Sequence, residues 1–221
     1  MCKSLLSQNY KVIGLTRNKN KQSSNHSLLG IKKEDITLVE GDIKNSNVVR
    51  QLIEHCKPCE IYNLAAQSSV GKSFKEPQNT ISSSVEGTIN ILEVCKSIAF
   101  DDNIFFAGSS EMFGHTEWPA SLQHTQDPKS PYAIGKQSSF NLVKVYRELY
   151  NLNCVTGVLF NHESPLRQKY FVTHKIISGA IQCLHDKSHK ITLGNIDIGR
   201  DWGWAEEYIE AMQLMNRSKE P

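Results

Sequence analysis

Residues 103–111 read Asn103-Ile104-Phe105-Phe106-Ala107-Gly108-Ser109-Ser110-Glu111. An unbroken apolar run that stops at a glycine and two serines is the pattern of a strand buried on both faces, as in a parallel sheet. Downstream come Tyr132 and Lys136, four positions apart, which on a helix share one face. An ammonium beside a phenol favours the phenolate. A phenol tuned that way takes a proton from a sugar or alcohol hydroxyl near neutral pH. Ser109 offers a hydroxyl to hold the same oxygen. Glu111 adds a second acid–base group that simple alcohol oxidation does not need.

Outward from this stretch the chain alternates strand and helix. Strands are predicted over Tyr10–Leu15, Ile36–Glu40, Glu60–Ala66, Asn103–Ala107 and Cys154–Phe160. Helices are predicted over Val48–His55, Val85–Ala99, Pro131–Leu149, Thr173–Cys183 and Trp204–Met215, and Leu5–Tyr10 reads as the end of another. The alternation argues an α/β fold with a doubly wound parallel sheet. In such sheets ligands bind beyond the carboxyl ends of the strands. Asp42, Ala65-Ala66, Ser109 and Asn161-His162 are all expected at such ends. A dinucleotide fold should open on a strand and a Gly-rich loop. This chain opens on what reads as the following helix, so the sheet is expected to lack its first strand and that loop.

Of the 221 residues 39% are hydrophobic and 22% charged, enough for one or two domains with a real core. The net charge of +2, from 25 basic and 23 acidic residues, argues against a nucleic-acid or membrane-surface partner. No apolar run approaches the roughly 20 residues of a membrane helix. The six cysteines read as reduced thiols of a cytoplasmic protein. Cys56-Lys57-Pro58-Cys59 has no second ligand pair, so it reads as two incidental thiols at a helix–strand junction, and no metal site is expected.

Several segments together resemble the extended short-chain dehydrogenase/reductases, and within them the GDP-mannose 4,6-dehydratase family. They are Glu60-Ile61-Tyr62-Asn63-Leu64-Ala65-Ala66-Gln67-Ser68, Ser109 to Gly114, Ser130 to Lys136, Leu159-Phe160-Asn161-His162-Glu163-Ser164-Pro165 and Arg200-Asp201-Trp202-Gly203. The likeness runs from about Tyr10 to Met215. It implies a Rossmann-like NADP-binding domain over residues 1–160, and part of a smaller nucleotide-sugar-binding lobe over 161–221 before the chain returns to the main domain. It also implies catalytic roles for Ser109, which stands where the family commonly has threonine, and for Glu111, Tyr132 and Lys136. Tyr132 would remove the C4 hydroxyl proton, Lys136 would tune Tyr132 and bond the nicotinamide ribose, and Glu111 would remove the C5 proton and help the C6 hydroxyl leave as water.

The resemblance further implies NADP contacts at Arg17 and Asn18, with Lys19, Asn20 and Lys21 beside them. A basic residue there suits the 2′-phosphate, although a solvated basic loop is the plain alternative. Asp42 and Ile43 would flank the adenine. Leu64, Ala65, Ala66, Gln67 and Ser68 would line the cofactor floor, with His162 and Arg167 near the nicotinamide end. Asn161, Val172, Lys175, Gly194 and Arg200 would hold GDP-mannose or a related nucleotide sugar. A homo-oligomer, dimer or tetramer, is implied as well. Three features depart from the family pattern: the missing Gly-rich loop, Asn79 in place of a cofactor-facing tyrosine, and a chain that stops near Pro221. They lead us to expect truncation at both ends. Two alternatives stay open, a related epimerase or reductase and an inactive paralogue that acts only as an assembly partner.

Overall fold

The structure, a computed structural model, describes residues 1–19, 29–116 and 119–218; Asn20 and Lys21 lie outside the described residues. The chain divides into two compact units, one of residues 1–159 and 211–221 and the other of residues 160–210.

In the first unit, helix α1 (Cys2–Ser7) leads to β1 (Val12–Thr16), and β2 (Ile36–Glu40) lies parallel to it, Val12 beside Ile36 and Thr16 beside Glu40. Leu5, Val12, Ile31 and Ile36 form the small core here. Then come α2 (Ser46–Cys56), β3 (Glu60–Asn63), α3 (Val70–Lys75), α4 (Pro77–Ser97), β4 (Asn103–Ala107), a 3-10 turn (Ser110–Phe113), α5 (Pro131–Tyr150) and β5 (Cys154–Gly157). Strands β3, β4 and β5 form a second parallel ladder in that order. The main core joins Val49 and Ile53 of α2, Leu92 of α4, Ile104 and Phe106 of β4 and Val143 of α5. The expected parallel α/β architecture is therefore present. It consists of two ladders, β2-β1 and β3-β4-β5, because among the described residues no strand lies between β1 and β3 to pair with both.

Local chemistry sets the element ends. Asn45 caps α2 by accepting from the N–H groups of Asn47 and Val48. Ser130 caps α5 by accepting from Ala133, with Pro131 at the first helical position. Strand β3 stops at Asn63, short of the expected Ala66, because the Asn63 side chain turns back to accept the Ala65 N–H at 3.2 Å. Helix α4 starts at Pro77, well before the expected Val85. Its first two turns carry Thr80 and Ser84 on the inward side, buried but polar, so no apolar period announces them. The two thiols of Cys56 and Cys59 are free; Cys56 ends α2 and Lys57 follows in the left-handed region at φ 43°.

The second unit contains β6 (Asn161–Glu163), α6 (Val172–His185), β7 (Trp202–Trp204) and the start of α7 (Ala205–Arg217). Strand β5 ends at Gly157, so Asn161 and His162 do not sit at its carboxyl end as expected. They form β6, which pairs in parallel with β7. No described helix is long and apolar enough to cross a membrane.

A polar cluster ties distant parts of the first unit together. The Glu60 carboxylate accepts from Arg217 Nε at 2.6 Å and Nη2 at 3.2 Å, from Tyr62 at 2.9 Å and from Tyr10 at 3.2 Å. Burial alone raises the Glu60 pKa, but the bonds from Arg217 and Tyr62 more than offset it and hold the carboxyl below its ordinary range. A depressed folded pKa contributes stability that is present above the unfolded value of 4.5 and lost as pH falls through the folded value. The wild-type melting temperature should therefore fall more steeply between pH 5 and about pH 3 than that of Glu60→Gln, as scanning calorimetry at each pH would read.

Helix α4 ends in a Schellman motif: Phe100 N–H bonds Cys95 O at 2.9 Å and Ala99 N–H bonds Lys96 O at 3.2 Å. Ala99 occupies its left-handed position at φ 50°, which glycine adopts without strain. Ala99→Gly should stabilise the chain by about 1 kcal/mol, a rise of about 2–4 °C in thermal melting.

Candidate active site

Strand β4 delivers the chain to Gly108 and Ser109. Ser109 is buried, and its Oγ accepts the Glu111 N–H at 3.3 Å, capping the turn that carries Glu111. Met112 and Phe113 anchor that turn in the interior. Gly114 closes it at φ 66°, where a Cβ would collide with the Asp127 carbonyl oxygen, so only glycine fits. The turn packs against α5, which carries Tyr132 and Lys136. The structure thus sets the turn of Ser109 and Glu111 against the helix of Tyr132 and Lys136.

Lys136 is the unusual member. Its side chain is 8% exposed, its Nζ donates to the Ala107 carbonyl at 2.7 Å, and Nζ lies 5.9 Å from the centre of the Tyr132 ring. Burial without a carboxylate partner pushes its pKa down to about 8. Helix α5 can bury the ammonium because α4 approaches so closely. A Cβ on Gly135 would stand 3.2 Å from Ser84 Cβ, and the hydroxyls of Ser84 and Ser139 lie 3.1 Å apart.

Other residues named from the sequence line the strand ends of the same unit. Arg17 and Asn18 follow β1 and are exposed, and the backbone N–H of neighbouring Lys19 donates to Glu40 Oε2 at 3.3 Å, so one carboxylate shares this basic corner. Asp42 follows β2 and accepts the Lys44 N–H at 2.9 Å. Ile43 follows Asp42 and is half-buried. Its side chain packs on Gly87 and the main core, and its carbonyl accepts from Asn90 at 3.0 Å. Leu64, Ala65 and Ser68 are exposed after β3, with Ala66 half-buried. Gln67 folds back on this loop, bonding the backbone of Ser69 through both its amide oxygen and its amide nitrogen.

The remaining named residues belong to the second unit. Cross-strand register sets Asn161 beside Trp202, His162 beside Gly203 and Glu163 beside Trp204. His162 Nδ1 meets the Phe160 carbonyl at 2.8 Å, and its ring stacks on Tyr208 with centres 4.8 Å apart. Arg167 Nε lies 3.1 Å from Glu163 Oε2, off the line of a hydrogen bond, and its guanidinium covers the Phe171 ring at 3.5 Å. Glu163 also accepts from Thr173 at 2.8 Å. Arg167 is thus held within its own unit by one carboxylate and one ring. Val172, Lys175, Gly194 and Arg200 are exposed, and Arg200 donates locally, to the Gly199 carbonyl at 3.1 Å.

The sequence reading passed over Ser84, Ser139 and Thr156 near Lys136, and Tyr208 against His162. Ser139 had a signal, since it lies three positions beyond Lys136 on the same helix. The others are brought in by tertiary packing alone.

The sequence profile described as GDP-mannose 4,6 dehydratase matches residues 1–221. The chain is 40% identical to GDP-mannose 4,6 dehydratase 1 of Arabidopsis thaliana, over 98% of this chain and 63% of that protein. It is 39% identical to the GDP-mannose 4,6 dehydratase of Homo sapiens, over 82% of this chain and 50% of that one. The chain thus spans between half and two thirds of the length of these curated relatives. Among solved structures, UDP-glucuronic acid 4-epimerase from Bacillus cereus, in complex with UDP-glucuronic acid and NAD, superposes with a TM-score of 0.85 at 22% identity. That match covers 99% of this chain and 69% of that one and speaks for the fold.

The β6–β7 pair makes a local demand that can be tested. A Cβ on Gly203 would enter the Tyr208 ring. Gly203→Ala should push Tyr208 off His162, remove the ring-current shift of the His162 ring protons in NMR spectra, and cost about 1–3 kcal/mol of stability.

Proposed function

The chain belongs to the GDP-mannose 4,6-dehydratase family, and we propose on that footing that it works in the 4,6-dehydration of a nucleotide sugar, converting GDP-mannose to GDP-4-dehydro-6-deoxy-mannose. One observation carries the reading: Glu111 sits on a turn that packs against the helix of Tyr132 and Lys136, with Ser109 at its cap. A tuned phenol alone serves alcohol oxidation, whereas a carboxylate next to it serves elimination.

The residues present fit a nicotinamide dinucleotide. Leu64 and Ala65 form an exposed apolar shelf beyond β3, and Arg17 stands exposed beyond β1. A basic residue at that place suits a 2′-phosphate, which supports NADP as the cofactor of this reading. When bound, it supplies the acceptor for the hydride of C4 and the donor that returns it to C6. Tyr132 takes the C4 hydroxyl proton during the oxidation. The Ser109 oxygen already accepts a bond from Glu111 N–H, which leaves its own proton to be donated to the C4 oxygen. The Lys136 ammonium favours the Tyr132 phenolate. The resulting 4-keto group acidifies C5. Glu111 removes that proton and passes it to the C6 hydroxyl, which leaves as water; once the hydride is back on C6, C5 takes up the proton that Tyr132 gained from the C4 hydroxyl, which restores the phenolate.

Asn161, Val172, Lys175, Gly194 and Arg200 are the nucleotide-sugar contacts of this reading, with His162 and Arg167 toward the nicotinamide. A guanidinium at Arg200 suits a diphosphate. Exposed Val145, Leu149 and Tyr150 on α5 give a surface for association into a homo-oligomer. Free thiols at all six cysteines fit a cytoplasmic setting.

The test is to incubate the chain with NADP and GDP-mannose and follow the sugar nucleotide by mass spectrometry. Loss of one water without net NADPH is the expected result. Tyr132→Phe should slow it by about 10²–10⁴-fold, and Glu111→Gln should abolish water loss. Because the Lys136 charge fades above about pH 8, turnover should decline on the alkaline side of that value. An unchanged substrate would favour the second reading, an assembly partner.

A further inference from the structure

Where β3, β4 and β5 meet α4 and α5, the structure contains a cavity of about 10 Å³ with Lys136 in its wall. That is about the space a single water molecule needs, provided that two or more polar groups surround it. The lining includes Asn63, Ser84, Ser139 and Thr156. Most of these groups have partners. Asn63 Oδ1 accepts the Ala65 N–H, the hydroxyls of Ser84 and Ser139 face each other, and Ser139 Oγ also reaches the Gly135 carbonyl at 2.9 Å. Thr156 Oγ1 has none, although it is buried, a condition that native interiors rarely tolerate. Lys136 has three N–H donors, and one is committed to Ala107 at 2.7 Å.

We propose that this cavity is a binding site for one structural water, held by Thr156 Oγ1, that accepts a hydrogen bond from Lys136 Nζ. The protons of the water have Thr156 Oγ1 and the second lone pair of Asn63 Oδ1 to go to. Of the three ammonium donors, one meets Ala107, one meets the water, and the third is left for the Tyr132 side, where the nicotinamide ribose would also draw on it. Thr156 is then a positioning residue, acting on Lys136 through the water. The inference goes beyond the dehydration reading and does not depend on it.

The charged and titratable groups around Lys136 are few. Tyr132 lies on its own helix and Glu111 on the turn against it. Helix α3, also packed on α5, carries Lys72 and Lys75 at the surface. Helix α4 carries Glu86, which Ser82 bonds at 2.8 Å, and Glu93, which Tyr146 and Lys96 bond. The strand residues of the lining are uncharged.

The test needs no turnover. Lysine Cε resonances of the whole chain are titrated by NMR, with Lys136 assigned by the signal lost in Lys136→Met. A water that accepts from the ammonium stabilises its charged form. Thr156→Val, which keeps the volume and removes the hydroxyl, should therefore lower the Lys136 pKa by about half to one unit. Thr156→Ser should restore it. A high-resolution crystal structure of the wild type should show one ordered water within hydrogen-bonding distance of Thr156 Oγ1 and Lys136 Nζ. A Thr156→Val titration that overlays the wild type, or a cavity without solvent density, would overturn the proposal.

Discussion

An ammonium buried between a parallel ladder and two helices is the constraint on which the first unit turns. Among the described residues Lys136 has no carboxylate partner, and burial disfavours its charge. What it has is the Ala107 carbonyl, at the end of β4. Its surroundings close tightly only because the facing positions are Gly135, Ser84 and Ser139. The start of α5 is equally constrained. The Ser130 cap and Pro131 set the first turn, and that setting decides which face Tyr132 and Lys136 share.

Some of this was legible in the residue order and some was not, for physical reasons that differ by place. The run Ile104-Phe105-Phe106 could only be a buried strand, and the serines after it marked its functional end. Spacing alone put Tyr132 and Lys136 on one face. The first half of α4 was illegible because its inward face is built from Thr80 and Ser84, which hydrophobic periodicity ignores. Strands β6 and β7 have three residues each and owe their existence to pairing across the intervening α6, a tertiary event with no local signature. The packing of Ile43 was hidden for another reason: its position in the chain says nothing about where its side chain rotates, and Gly87 offers it room in the core. Thr156 gave no signal, since a threonine inside a strand is ordinary.

The second unit uses a different economy. It has few buried apolar side chains and relies on stacked and paired groups instead: His162 on Tyr208, Arg167 on Phe171 with Glu163 beside it, and Thr173 on Glu163. A surface organised this way keeps its polar groups oriented without a large core. Gly203 is the point where that arrangement tolerates no added atom.

The clasp at Glu60 also bears on how the chain is made. Arg217 and Glu60 are 157 positions apart, and the residues between them include the whole second unit. On the ribosome, which adds about 5–20 residues per second, strand β3 emerges long before its cation exists. Until α7 has been synthesised, Glu60 has only tyrosine hydroxyls for company and every reason to stay in water. The first unit therefore cannot reach its final form as an early folding intermediate on the nascent chain. That form waits for α7.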